Sequence, residues 1–187
     1  MNDSHSRAAA AATFTELVEE LNKESVRGAI LLGTSWIDEQ LASLLKARLV
    51  IPTNSKQDNL FDRAKPLGDL GPKIDLAYRS GLIRRETYDS LKIIRSLRND
   101  FAHLKNPISL EDQSVRDRVK RLYDLNQDLL KGVDEVIEKV VDGYRDLVID
   151  PDSFSLPSSY RLNFLIALVS AGLAYSTTQA SRIDELR

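Results

Sequence analysis

A chain of 187 residues, 42% hydrophobic and 29% charged, can bury a substantial core, which excludes global disorder. Its formal charge of −2 gives no net positive field of the kind that nucleic-acid modules usually carry. The absence of cysteine removes disulfides, thiolate nucleophiles and cysteine zinc sites, and with His5 and His103 as the sole histidines a multi-histidine metal centre is not expected.

No DxDxDG loop or HExxH helix occurs, so neither a metal nor a cofactor is expected. The first residues lack the basic-then-apolar pattern of a secretory leader, and together with the missing cysteines this predicts a cytoplasmic protein, bacterial in style. Residues 1–12 read as a flexible, alanine-rich tail, with Thr13 and Glu16 as a capping box for a short helix. After a break at Asn22 to Ser25, a helix is predicted from about Val26 to Val50, where Ile30, Gly33, Ile37, Leu41 and Leu44 recur at helical spacing. Pro52 ends it, and a polar loop follows.

Pro66, Gly68, Gly71 and Pro72 predict a bent path, and Gly81 a stop to a brief helix around Ile74 to Tyr78. The next helix spans about Arg85 to Leu104, with Leu91, Ile94, Leu97 and Phe101 on one face. Ser109 and Asp112 offer a cap for a long helix from about Leu110 to Val148, which Gly132 and Gly143 could bend or divide. A last helix is predicted over about Ser159 to Ala180. No segment reads as a strand, so the expectation is an all-α bundle of four to six helices. Its organisation would be the tail, a bundle over 13–150, and a connector with a C-terminal apolar helix over 151–187.

That last helix lies in a run of 20 uncharged residues between Arg161 and Arg182, about the length of a membrane span. Asn163, Ser170, Ser176, Thr177, Thr178 and Gln179 dilute it, which favours packing on the bundle or on a partner chain, a homodimer helix being the attractive version.

Residues 73–105 hold eight basic and four acidic side chains, a local balance of +4 in an otherwise acidic chain. Arg84, Arg85, Lys92 and Arg95 are the candidate nucleic-acid-binding strip, since arginine forks match phosphate oxygens and lysine adds point charge. The same strip also reads as a solvated helix face interleaved with Glu86 and Asp89. At its end, Arg98, Asn99 and His103 are the candidate catalytic set. An imidazole titrating near neutrality can move a proton on a ribose hydroxyl, and a guanidinium can hold a phosphate. One imidazole supplies an acid or a base but not both, so the set would need two chains. The competing reading has His103 capping the last helix carbonyls and Arg98 paired with Asp100 or another acid.

Two resemblances rest on these residues. Lys65-Pro66-Leu67-Gly68-Asp69-Leu70, then Lys73-Ile74, Ala77-Tyr78, Gly81-Leu82-Ile83, Glu86 and Tyr88 resemble the mannitol operon repressor family over about Val26 to Leu110. This implies an all-helical regulator of transcription for sugar-alcohol uptake. Arg98-Asn99-x-x-x-His103 is similar to the signature of the HEPN superfamily, which implies a helical dimer and metal-independent endoribonuclease chemistry by those three residues. The favoured expectation is a dimeric regulatory protein acting through a protein partner or weak nucleic-acid contact; the alternative is the ribonuclease.

Overall fold

The computed structural model describes residues 3–54, 59–103, 108–131 and 158–184. Among them lie six bounded helices and no strand: α1 (Asp3–Leu21), α2 (Val26–Arg48), α3 (Leu70–Arg79), α4 (Arg85–Ala102), α5 (Gln113–Leu125) and α6 (Ser158–Gln179). The all-α expectation therefore holds. Helix α2 sits at the centre and packs against α1, α3, α4 and α6, while α5 lies on the far side of α4.

The sequence at α2 explains its position. Ser25 accepts the Gly28 N–H at 3.1 Å as a side-chain cap, and Ile30, Ile37, Leu41, Leu44 and Leu45 then place an unbroken apolar face inside the protein. Gly33 faces α6 so closely that a Cβ there would stand 2.5 Å from Ile166 Cγ2, so the residue sets the distance between the two helices. Helix α6 is largely enclosed by α1 and α2: Leu162, Leu165, Ile166, Ala167 and Leu173 are buried. The apolar C-terminal helix thus has its cover within its own chain. None of the described helices is long and apolar enough to cross a membrane.

The flexible tail expected over 1–12 is instead helical from Asp3, and Thr13 lies inside α1 rather than at its cap. Alanine is the strongest helix former, and Arg7 pairs with Asp3 at 2.8 Å one turn away. Helix α6 then holds this helix: Tyr175 donates to Asp3 at 3.0 Å, and Gln179 donates to the buried Ser6 at 2.7 Å. At the other end of α1 the buried Asn163 donates to the Leu21 carbonyl at 3.2 Å.

Gly71 and Pro72 also depart from the expected bend, because both belong to the first turn of α3. Proline is tolerated there, since its missing N–H would have had no partner within the helix. Gly81 behaves as expected. Its φ of +69° ends α3, with Gly81 N–H bonded to Tyr78 O at 3.0 Å and Leu82 N–H to Ala77 O at 2.9 Å, a Schellman closure. Helix α5 begins at Gln113 and is interrupted at Asn126; residues 127–131 are helical again. Asn126 is buried and its amide donates to Ser90 Oγ and to Leu122 O, both at 2.8 Å, which ties the break to α4. Leu129, in this continuation, is 47% exposed. Gly132, Gly143 and the connector at 152–157 lie outside the described residues.

Candidate functional site on helix α4

Helix α4 carries the cations singled out from the sequence, and the structure divides them into two groups. At its N-terminal end Arg84 is the exposed N-cap residue. Arg85 reaches Asp89 at 2.9 Å and lies 5.9 Å from the Tyr88 ring centre. Lys92 stands 3.5 Å from Asp75 and 5.6 Å from the same ring. Tyr88 in turn stacks on Tyr78 at 4.5 Å and donates to Asp75 at 3.0 Å. Hydrogen bonding to Asp89, then to Tyr78, raises the Arg85 pKa above its ordinary value. Two acids and a pair of rings thus hold these two cations in a network of local contacts.

The C-terminal half differs. Arg95, Arg98 and Asn99 line a groove of about 530 Å³ between α4, α2 and the segment that leads into α3. Arg95 is partly buried, and its guanidinium lies against the first turn of α3. A Cβ on Gly71 would stand 3.2 Å from Arg95 Cζ, so glycine is what allows the approach. Among the described residues Arg95 has no hydrogen-bond or ion-pair partner, and the exposed Arg98 donates at 3.3 Å to its uncharged neighbour Asn99.

Two acids that could have neutralised these arginines are held by other cations. Asp38, which lines the groove, takes Lys73 Nζ at 2.6 Å; Lys73 is buried, 3% exposed, so the pair is a strong electrostatic commitment. Asp100, beside Asn99 in sequence, takes Arg118 of α5 at 2.6 Å, and Arg118 also donates to Ser96 at 2.8 Å. Glu39 and Asp69 also line the groove, are exposed, and form no ion pair with Arg95 or Arg98.

The structure therefore brings together Arg95, Arg98 and Asn99, and places Arg84, Arg85 and Lys92 toward the opposite end of α4. His103 is the exposed C-cap residue of α4 and does not line the groove. His103 closes the last turn through its backbone N–H, which donates to the Asp100 carbonyl at 3.2 Å, and Arg27 donates to the Ala102 carbonyl at 3.2 Å. The expected pairing of Arg98 with Asp100 is not formed, because the Asp100 carboxylate pairs with Arg118. The described residues contain no cluster of three or more His, Asp or Glu that could hold a metal.

Asp38 and Lys73 were missed as a functional pair from sequence, where Asp38 reads as part of the polar face of α2. A signal existed: Lys73 shares the buried face of α3 with Ile74 and Ala77, and a lysine in an apolar phase needs a buried acid.

No family model and no curated protein matches the sequence. In three dimensions the chain is similar to a chain in the X-ray structure of the MtlR-HPr complex from Escherichia coli, with a TM-score of 0.56 and 18% identity, over 89% of this chain and 99% of the other. At that identity the likeness carries the architecture, and the chain has an MtlR-like helical fold.

Proposed function

We propose that this chain is a transcription-related regulatory protein of the mannitol-repressor type that works by docking a protein partner. One observation carries the reading: the chain shares its fold, over nearly the whole of both chains, with a protein solved in complex with HPr. The electrostatics of α4 favour a protein over nucleic acid, because Arg85 and Lys92 of the expected phosphate-binding strip already have acidic neighbours. Calorimetric titration with HPr tests the reading. Saturable binding supports it. If HPr does not bind, and duplex DNA binds with steep salt dependence lost on charge reversal at Arg84 and Arg85, the chain works on nucleic acid instead.

A second reading keeps the ribonuclease chemistry of Arg98, Asn99 and His103. It is favoured by the exposure of Arg98 and His103 and by the lack of an acid on Arg98. It requires a dimer that brings two His103 side chains together, and it predicts RNA cleavage in EDTA that His103→Ala abolishes. Cleavage indifferent to that substitution, or a monomer in sedimentation, removes it.

A further inference from the structure

We infer that the groove of Arg95 and Arg98 is a receptor for a carboxylate side chain presented by a protein partner. The inference rests on the protein-docking reading above and names the chemistry of the contact.

The argument starts from unspent charge. A guanidinium offers five N–H donors in a planar fork that matches a carboxylate in two parallel bonds. In most folded proteins a partly buried arginine has such a partner. Arg95 has none among the described residues, and Arg98 has a neutral one. Their spacing of three residues on α4 puts both on neighbouring faces of one helix, and both line the same groove. The nearby acids are engaged by other cations: Lys73 holds Asp38 through Oδ2, whose buried Oδ1 bonds neither arginine, and Arg118 holds Asp100, each at 2.6 Å. Gly71 meanwhile holds the Arg95 fork against α3 by leaving room for it.

The acids of the groove select among anions. Glu39 and Asp69 line it together with the arginines. A phosphodiester backbone brings charge at every step and offers these acids no N–H donor. A polypeptide can donate backbone N–H groups to Glu39 and Asp69 while an acidic side chain reaches the arginines. The groove thus fits an acidic side chain carried on polypeptide better than a polyphosphate.

The test uses the full chain and four probes at fixed ionic strength: a blocked tetraglutamate peptide, its tetraglutamine counterpart, inorganic phosphate, and a single-stranded oligonucleotide. Tetraglutamate is expected to bind saturably and tetraglutamine not to bind. Arg95→Gln and Arg98→Gln should each weaken tetraglutamate about tenfold, as loss of one charge-assisted bond pair implies. Gly71→Ala should weaken it too, with the charge retained, because the new Cβ displaces the Arg95 fork. Arg85→Gln should leave it unchanged. If Arg95→Gln loses its helical circular dichroism, Arg98→Gln, at an exposed position, decides alone.

Equal binding of both peptides, no saturable peptide binding, or indifference to Arg98→Gln would overturn the inference. So would phosphate or the oligonucleotide binding more tightly than tetraglutamate. The two readings fail separately. HPr that binds the chain and its Arg95→Gln/Arg98→Gln double variant equally leaves protein docking standing and removes the groove. Tetraglutamate binding without HPr binding does the reverse.

Discussion

Arg85 and Lys92 in the N-terminal half of α4, and Arg95 and Arg98 in its C-terminal half, occupy a single helix and differ in what neutralises them. The first pair has Asp89, Asp75 and the Tyr88 ring; the second has one neutral amide. Helical spacing accounts for part of this, because Asp89 lies one turn from Arg85 on the same face, whereas Asp100 lies two residues from Arg98 on a different one. The rest lies in tertiary competition. Buried Lys73 and partly buried Arg118 take the acids near the groove, whereas no such competitor reaches Asp89. Cationic residues alike in a sequence count are therefore unlike in availability.

The largest test of that account is at Asp38. Asp38→Ala leaves Lys73 charged in an apolar setting and should cost about 3 kcal/mol, the usual consequence of breaking a buried pair from one side. Urea denaturation measures it. Asp38→Ala combined with Lys73→Met should recover most of the loss, since neither partner then remains unpaired. Lys73→Met alone sharpens the comparison further. It frees the Asp38 carboxylate in the groove, and tetraglutamate affinity should fall as Arg95 gains an acid of its own. Unchanged affinity there would mean that Lys73 does not keep Arg95 available.

How much of this was legible in the sequence depends on whether the deciding contact is local. Ser25 and Gly81 act through neighbours in the chain, and the start of α2 and the end of α3 follow from them, as the course of α4 follows from apolar spacing. The alanine run at the N-terminus misleads because its helix is secured by Tyr175 and Gln179, more than 160 residues away. Within the site, Arg95 and Arg98 are visible as cations. Their freedom is not, because it depends on Asp38 with Lys73 and Asp100 with Arg118, pairs joined only when α2, α3, α4 and α5 pack. Likewise the Arg98 to His103 spacing is visible, but the helix ends at Ala102 and leaves His103 exposed as its C-cap.

A smaller effect is expected at Arg118. This residue bonds Asp100 and Ser96 from a partly exposed position, so Arg118→Ala should lower stability by about 1 kcal/mol, a figure typical of a pair open to solvent. Its value lies in the second readout. With Asp100 released next to Asn99, tetraglutamate affinity should fall severalfold, although Arg118 itself does not line the groove. A double-mutant cycle with Arg98→Gln separates the routes: the affinity loss from Arg118→Ala should vanish once Arg98 is absent.

The smallest structural change should produce the converse. Asp75→Asn with Asp89→Asn removes both acids beside Arg85 and Lys92 while retaining side chains of the same shape. These contacts are solvent-accessible on at least one side, so the melting temperature should move little. Anion binding at this end should nevertheless appear, because the cations and the stacked Tyr78 and Tyr88 rings remain. Salt-sensitive oligonucleotide binding by the double variant, absent from the parent chain, is the expected result. Tyr88 donates to Asp75 and would lose that acceptor's charge, so Asp89→Asn alone provides the control in which the ring stays anchored. If neither variant gains affinity, the position of the rings rather than the two acids keeps this surface silent. The contrast between the two ends of α4 would then be one of shape.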